Sequence, residues 1–329
     1  MSFKDIYGHE KQIKVLRIAI GRDRVAHAYL FYGAEGVGKR TVAEVFAKAL
    51  NCASGRETKD ACDQCPSCLK IDHGNHPDVV TVSAQGQFIK IEEIRELQDQ
   101  MKFRPFEGGR RVFIIVDADR MNIASANALL KTLEEPSASN VLILITSRPH
   151  QLPATVLSRC QQLRFNPLTK ENIASFLLEK SSLDSETAQL LALSSGGSIG
   201  NAAAITDESY LATRAAILDV IAKIKAKDHL GLLASVSDFG QERKDITERL
   251  GILMTGFRDA LVYKETGNAA NLINQDYIDL IKSVAGSYSG GCIINCMRAV
   301  DQASRTINQN ANKQLTLEVM MFTLGKHCE

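Results

Sequence analysis

The chain lacks any hydrophobic run long enough to cross a membrane. No apolar stretch approaches the ~18 residues that a spanning helix needs, and the segment from Met1 to Ile6 contains no apolar signal core. The chain also has almost no net charge, with a formal value of +1. We therefore expect the protein to stay in the cytosol, and we expect any contact with nucleic acid to come from a local patch, since the overall field is too weak.

The length and the composition are those of a globular protein with several domains. The 329 residues are 45% hydrophobic and 23% charged. Short apolar runs alternate with helical patterns between about residues 28 and 166; the runs are 29–32, 79–82, 112–116, 141–145 and 163–165. Strands that are apolar on both faces are typical of a parallel sheet covered by helices. The sequence therefore predicts a doubly wound α/β domain over residues 1–167.

The strand pattern ends after Pro167. Thr169 is a predicted helix cap, and two further short helical segments up to about residue 206 complete a small three-helix lid, residues 168–206. Longer amphipathic segments then predict an all-helical C-terminal domain, residues 207–329. Its clearest apolar stripe comprises Ile246, Leu250, Leu253, Phe257 and Leu261. The stripe fits the domain's own core better than a partner groove, although the pattern alone does not separate the two.

A phosphate loop of the form Gly-x-x-x-x-Gly-Lys follows the first predicted strand and precedes a helix predicted over about residues 40–50. Backbone N–H groups and a helix N-terminus in this context bind phosphates, with the lysine as a point charge. The nucleotide-binding candidates are Gly33, Gly36, Gly38 and Lys39. The hydroxyl that should hold magnesium belongs next, yet Arg40 stands there. Thr41 comes one residue late, about 100° further around the helix.

The acidic strand end that should serve this loop is also altered. In a hydrolysing ATPase the strand over residues 113–116 would end in Asp-Glu, with the glutamate orienting the attacking water. This chain has Asp117-Ala118. Asp119 is not expected to substitute, because in an extended strand it points to the same side as Asp117. We expect little or no hydrolysis by this chain. Binding of ATP or ADP stays open, because Lys39 favours it and the missing hydroxyl opposes it.

A cluster of cysteines indicates a metal site. Cys52, Cys62, Cys65 and Cys68 have the spacing Cys-x9-Cys-x2-Cys-x2-Cys. In a reducing compartment such a cluster favours metal binding over disulfides, and four thiolates close a site with no open position for water. The site would then be structural and would stiffen an insertion too small to have its own core. Zinc and an iron–sulfur cluster both fit the spacing. His73 and His76 are interpreted as ordinary loop residues.

Two segments resemble a known family. The sequence Leu-Leu-Lys-Thr-Leu-Glu-Glu-Pro, residues 129–136, and Leu157-Ser158-Arg159-Cys160 resemble the AAA+ clamp-loader subunits of bacterial DNA polymerase III. The resemblance covers nearly all of residues 1–205 and is weaker beyond. It implies that the four cysteines hold structural zinc and that the helical C-terminal domain is an oligomerisation collar. It also implies that Arg159 is an arginine finger that acts in trans on ATP held by a neighbouring subunit.

Two branches of that family compete. The hydrolysing gamma/tau subunits carry a hydroxyl residue after the lysine, an Asp-Glu strand end and a Gly-Ser-x-Arg pattern in the lid. This chain has Arg40, Ala118 and Gly200 at those places, so it resembles the delta-prime branch more closely. The resemblance implies a member of a hetero-pentameric ring with gamma/tau and delta subunits, acting on the sliding clamp and on primed DNA through the complex. Any polymerase classification would then belong to the holoenzyme.

Three rival functions make different predictions. A gamma/tau-type ATPase and a branch-migration helicase would both show magnesium-dependent turnover as purified chains. A zinc-dependent nucleic-acid binder would show salt-sensitive affinity for DNA by itself, which the small net charge disfavours. The delta-prime interpretation predicts no turnover until partner subunits are added.

Overall fold

The computed structural model describes residues 1–84, 86, 88–107, 109–181, 183–205, 208–309 and 311–327. Its only sheet among these residues has five parallel strands in the order β2-β3-β4-β1-β5. The strands are β1 Ala28–Gly33, β2 Val79–Val82, β3 Arg111–Ile115, β4 Asn140–Thr146 and β5 Gln161–Phe165. Each predicted apolar run coincides with one of them, although Val116 lies just beyond the end of β3, so the predicted parallel α/β fold is confirmed.

Successive side chains of a strand point to opposite faces of the sheet, and along the central strands β1, β3 and β4 the side chains on both faces are almost all buried. Phe31 and Ile143 pack into one core, and their neighbours Leu30 and Leu142 pack into the other. Helices α1 (Glu10–Gly21) and α2 (Lys39–Asn51) cover the first face, and α5 (Ile91–Met101) and α6 (Ile123–Glu134) cover the second. Alternation of this kind requires strands that are apolar throughout. The phosphate loop therefore rests on a strand whose position is held from both sides.

The chain divides into two compact units. The first unit comprises Met1–Phe176 and Gly197–Gly200. Its helices are α1 Glu10–Gly21, α2 Lys39–Asn51, α3 Gly55–Thr58, α4 Pro66–Asp72, α5 Ile91–Met101, α6 Ile123–Glu134 and α7 Ala154–Leu157. Helix α6 ends directly before Glu135-Pro136, as expected where proline cannot continue a helix. Short 3₁₀ turns occur at Phe3–Asp5, Ala118–Arg120 and Pro149–Gln151.

The second unit comprises Leu177–Gly196 and Asn201–Glu329. Helices α8 Lys170–Lys180 and α10 Ile199–Ile205 each contribute residues to both units. The remaining helices are α9 Ser185–Ser194, α11 Glu208–Ala226, α12 His229–Ala234, α13 Arg243–Thr266, α14 Ile278–Ser287, α15 Gly290–Asn308 and α16 Lys313–His327. Further 3₁₀ turns occur at Ser235–Phe239, Ala269–Asn271 and Gln275–Tyr277. Every element described from residue 208 onward is helical.

The predicted stripe on α13 belongs to the core of the second unit. Ile246, Leu250, Leu253 and Phe257 are buried, and Leu261 packs partly buried against them. Three short helices occur where the lid was predicted, and the Oγ1 atom of Thr169 accepts the backbone N–H of Asn172. The predicted boundary between lid and collar, at residues 206 and 207, lies outside the described residues, as does Cys328. Along the ranges that the structure covers, none of the helices combines the length and the hydropathy that crossing a membrane requires.

Candidate functional site

The phosphate loop connects the end of β1 to the start of α2. Gly38 is the N-cap residue of α2, with φ of 101°, and the backbone turns sharply at Gly36, with φ of 71°. These left-handed conformations are open to glycine and strained for other residues. The first N–H groups of α2 have no partners within the helix, so the loop keeps the shape of an anion cradle.

Lys39 lies at the centre of this cradle. Its side chain is almost fully buried, and its Nζ atom donates to the carbonyl oxygens of Gly33 at 2.7 Å and Ala34 at 2.5 Å. Burial lowers the pKa of the Lys39 ammonium, although the negative charges of Glu35, Asp117 and Asp119 act in the opposite direction. The lysine is therefore held by carbonyl groups of its own loop.

The residue after the lysine faces away from the cradle. Arg40 has a side chain that is 61% exposed, and its Nε atom pairs with Oε1 of Glu44 at 2.7 Å, one turn along α2. A guanidinium carries no lone pair for a metal ion. Thr41 is partly buried at the next position of the helix. Arg40 thus replaces a magnesium ligand with an ion pair on the surface of α2.

The acidic strand end does not have the extended conformation that we expected. Strand β3 ends at Ile115, and Asp117 has a left-handed backbone with φ of 52°. Asp119 lies in the following 3₁₀ turn, where its Oδ1 atom accepts a hydrogen bond from the hydroxyl of Thr146 at 2.5 Å. The expectation based on an extended strand was wrong, because a turn begins at once after β3. Ala118 is fully buried and offers no group to orient water.

A segment from the lid region packs directly on the phosphate loop. The backbone N–H of Gly200 donates to the carbonyl oxygen of Gly36 at 2.9 Å. A Cβ atom built on Gly200 would lie 3.1 Å from the Cα atom of Gly36, and one built on Gly36 would lie 2.2 Å from the Oγ atom of Ser198. Both glycines are needed for this close approach. Gly200 occupies the place where the hydrolysing pattern has an arginine.

Arg159 lies between α7 and β5, at the surface. Its Nη2 atom pairs with Oε1 of Glu134 at 2.8 Å, and its Nη1 atom donates to the carbonyl of Thr155 at 3.0 Å. Strand β5 begins at Gln161, and Phe165 at its far end is in register with Gly33. A strand rises ~3.3 Å per residue, so ~13 Å of strand separates the start of β5 from the cradle. Arg159 therefore points outward at the opposite end of the sheet from its own phosphate loop.

The four predicted cysteines come together. Their sulfur atoms all lie within 4.8 Å of one another, and those of Cys52 and Cys65 are 4.0 Å apart. Zinc bonded to four sulfurs at ~2.3 Å requires separations of ~3.8 Å between them. The backbone N–H groups of Cys62 and Cys65 donate to the sulfurs of Cys52 and Cys62, each at 3.3 Å. The donor set fits a soft or borderline ion such as zinc.

The thiols of Cys62 and Cys68 differ in pKa. Backbone N–H groups, of Gln64 first and Cys65 second, lower the pKa of Cys62 to about 6. Burial, together with the sulfur of Cys65, raises the pKa of Cys68 well above its ordinary value. A bound divalent cation would stabilise the ionised form of the thiols by offsetting part of their negative charge. His76 is buried outside this group and bonds to Ser67 at 3.0 Å, as expected of a residue that is not a ligand.

One charged residue of this region escaped the sequence interpretation. Lys48 is 1% exposed on α2, and its Nζ atom bonds to carboxylates of Asp63 and Asp72 inside the cysteine-bearing insertion. The signal was available, because Lys48 interrupts the buried apolar positions Val45, Phe46 and Ala49 of the helix. A lysine on an apolar face requires buried partners.

Comparison with known proteins identifies the family. Residues 8–169 match the family described as "DNA polymerase III, delta subunit", and residues 208–326 match its C-terminal counterpart. The chain is 32% identical to the DNA polymerase III subunit delta' of Bacillus subtilis over 315 residues, 95% of this chain and 94% of that protein. It is 29% identical to the tau subunit of the same organism over 299 residues, 84% of this chain but 53% of that protein.

A solved structure of a DNA polymerase III gamma subunit-related protein from Thermotoga maritima is similar at 18% identity. The match covers 97% of this chain and 100% of the Thermotoga chain, with a TM-score of 0.45. The assignment stands on the sequence relatives, because the match to the delta' protein extends over almost the full length of both chains. This chain belongs to the DNA polymerase III delta subunit family and matches its delta-prime members.

Proposed function

We propose that this chain works as the hydrolysis-deficient subunit of a clamp loader. In this role it assembles with gamma/tau and delta subunits into a hetero-pentameric ring in the cytosol, and the ring places a sliding clamp on primed DNA. The observation that carries the proposal is the match to a delta' subunit over 95% of the chain, together with the outward Arg159. Residues 1–167, 168–206 and 207–329 would serve as the AAA+ domain, the lid and the collar.

The absence of hydrolysis rests on three separate places in the chain. Arg40 offers no hydroxyl for magnesium, Ala118 cannot orient a water molecule, and Gly200 brings no arginine to the phosphates. Phosphoryl transfer depends on positioning and on charge stabilisation at all three points. Restoring one of them would leave the other two missing, so we propose that the purified chain does not turn over ATP.

Nucleotide binding by this cradle would be weak and would not require magnesium. A phosphate would have to draw Lys39 away from the carbonyls of Gly33 and Ala34, while Gly200 stays bonded to Gly36. The helix N-terminus and Lys39 still attract a phosphate. Asp117, which would hold the metal's hydration shell in a complete site, has no partner hydroxyl at position 40.

Arg159 would supply its guanidinium to ATP bound by a neighbouring subunit. The side chain lies too far from its own cradle, and its contacts with Glu134 and Thr155 are at the surface, where they break easily. An arginine finger accelerates phosphoryl transfer by ~10³ to 10⁵, which is about 4 to 7 kcal/mol of barrier. One side chain would thus make hydrolysis in the neighbour depend on correct assembly of the ring.

Zinc would hold the insertion between α2 and β2 in shape. Cys52, Cys62, Cys65 and Cys68 would be its ligands, and the ion would reduce the repulsion among their thiolates by offsetting part of the negative charge. Such a closed site does no chemistry on a substrate. The metal would be structural.

The assignment is tested by mixing the purified chain with gamma/tau and delta subunits and weighing the complexes by native mass spectrometry. One copy of this chain in a five-subunit assembly, with no ATP turnover by the chain alone in magnesium, supports the proposal. The second candidate function is that of a self-sufficient gamma/tau-type ATPase, and its support is the match to a tau subunit. Magnesium-dependent turnover by the isolated chain would establish that alternative.

A further inference from the structure

Lys48 is the most deeply buried charged group beside the cysteine cluster. It lies on α2, three residues before that helix ends, and its side chain is 2% exposed. The Nζ atom donates to the carbonyl oxygen of Met1 at 2.9 Å, to Oδ1 of Asp63 and to both carboxylate oxygens of Asp72, at 2.8 Å and 2.7 Å. An ammonium has three hydrogens, so these partners use its full donor capacity.

The acidic partners of Lys48 lie in the two chain segments that carry Cys62 and Cys68. Asp63 directly follows Cys62 and has a left-handed backbone with φ of 60°. Asp72 ends α4, the helix that contains Cys68. Cys52 follows the last residue of α2 itself. One ammonium therefore joins the three pieces of chain that bring the sulfur atoms together.

The charge of Lys48 is maintained by these contacts. Burial alone would lower the pKa of the Lys48 ammonium, yet the hydrogen bonds that it donates to Asp63 and Asp72 outweigh this effect and raise the pKa above its ordinary value. The lysine is therefore a fixed positive charge, and it offsets two carboxylates next to a group of four thiolates. Without it, those carboxylates would repel one another and would repel the ionised sulfurs.

We propose that Lys48 is a positioning residue for the metal site: it assembles the insertion around the four cysteines before the ion binds. This inference rests on the proposal that the cluster holds zinc. A ligand set that is already ordered loses less conformational entropy on binding and so holds its ion more tightly. Since Lys48 and Lys39 lie on the same helix, the arrangement also fixes the insertion to the helix that begins at the phosphate loop.

The test compares zinc retention by the full-length chain and its variants. Lys48→Met removes the ammonium and keeps much of the side-chain volume, and Lys48→Arg restores a charge. Lys70→Met is the matched control, because Lys70 lies on α4, the helix of Asp72, and pairs with the partly exposed Glu107 at the surface. Each protein is loaded with Zn²⁺ and then mixed with excess EDTA, and the rate of zinc release is measured alongside the far-ultraviolet circular dichroism spectrum.

We expect Lys48→Met to release zinc at least about tenfold faster than the wild type, which is the scale on which loss of groups that orient metal ligands lowers metal affinity. Lys48→Arg should recover part of that difference, and Lys70→Met should stay within about twofold of the wild type. Equal release rates for folded Lys48→Met and the wild type would overturn the inference, and so would equal acceleration by Lys70→Met.

A second variant keeps the test decisive if Lys48→Met does not fold. Asp72→Asn leaves Lys48 in place with Asp63, so it removes one anchor only, and faster zinc release by about tenfold would again support the inference. Release unchanged from the wild type would refute it. A wild-type chain that binds no zinc refutes the metal proposal instead, and ATP turnover by the isolated chain refutes the clamp-loader role, so the three failures are distinguishable.

Discussion

Arg159 and Glu134 form an ion pair at the surface of the first unit, with 2.8 Å between Nη2 and Oε1. The side chains are 36% and 51% exposed, so water competes for both groups. Exposed pairs of this kind contribute ~0.2 to 1 kcal/mol. In the proposed role of Arg159, a phosphate of a neighbouring subunit would displace the carboxylate of Glu134 at little cost.

Replacement of Glu134 should therefore change the stability of the chain and the ATP hydrolysis rate of the complex only slightly. Glu134→Gln removes the charge and keeps the shape of the side chain. We expect the free energy of unfolding to change by less than ~1 kcal/mol and the ATP hydrolysis rate of the assembled clamp loader to change by less than about fivefold. Chemical denaturation and a steady-state ATPase assay measure the two quantities. A loss of more than tenfold in rate would mean that Glu134 itself takes part in the reaction.

The contact between Gly200 and Gly36 makes a prediction about stability. Gly200→Ala places a methyl group 3.1 Å from the Cα atom of Gly36, a backbone atom that cannot rotate away as a side chain could. We expect a loss of ~1 to 3 kcal/mol in thermal or chemical unfolding, as in other overpacked sites. The control is Gly251→Ala in α13, where no atom lies within 4 Å of the new methyl group. It should stabilise its helix by up to ~1 kcal/mol. Similar behaviour of the two variants would contradict the contact.

His76 predicts a dependence of stability on pH. Burial lowers the pKa of this imidazole below its ordinary value of 6.5, and its Nδ1 atom accepts the backbone N–H of Asp78 at 3.1 Å. The folded protein therefore holds the neutral ring, and the unfolded chain binds the proton more readily. Stability from this group is complete above the unfolded pKa and is lost as the pH falls through the folded value. Burial also lowers the pKa of His9, so this residue adds to the loss of stability at low pH.

The contribution of His76 is isolated by comparison with His76→Asn, which keeps a hydrogen-bond acceptor and does not titrate. We expect the free energy of unfolding of the wild type to decrease between pH 7.5 and pH 5 by more than that of the variant, since the folded ring resists protonation. Urea denaturation at a series of pH values measures the difference. Parallel curves for the two proteins would show that His76 titrates alike in both states.

The cysteine cluster predicts one zinc ion in each chain. Cys65→Ser should lose the metal, because three thiolates and a hydroxyl bind zinc far less tightly than four thiolates. Cys292→Ser is the control, since Cys292 lies in α15, outside the cluster. Elemental analysis of the purified proteins provides the measurement. Iron in place of zinc, with visible absorption, would identify the competing cofactor, and absence of any metal from the wild type would refute the site.

Much of the fold could be predicted from local pattern. The apolar runs around Phe31 and Ile143, the proline after α6 and the glycines around Lys39 each carry their own signal, because strand, helix end and phosphate loop depend on neighbouring residues. The spacing of the four cysteines likewise predicted that their sulfur atoms lie close together, and in the structure they lie within 4.8 Å of one another. These predictions needed no knowledge of contacts between distant parts of the chain.

The remaining features depend on such contacts. Lys48 with Asp72, Gly36 with Gly200 and Arg159 with Glu134 each join residues far apart in the sequence, and no periodicity reveals them. Asp117 illustrates a different limit. Its strand was expected to continue, yet the backbone turns left-handed after β3, and Asp119 bonds to Thr146 on the next strand instead. A single residue with positive φ redirected the side chains that follow it.

The most direct test of the central claim is the rate of DNA-stimulated ATP hydrolysis by a clamp loader assembled with Arg159→Ala. Arg110→Ala, which removes the ion pair with Asp23 in the same unit, is the matched control. If Arg159 acts on a neighbour's ATP, the assembled complex should lose about 10³-fold or more of the hydrolysis at the site it serves. Subunit composition and the stability of this chain should not change. A complex with Arg159→Ala that hydrolyses ATP at the wild-type rate would contradict the account.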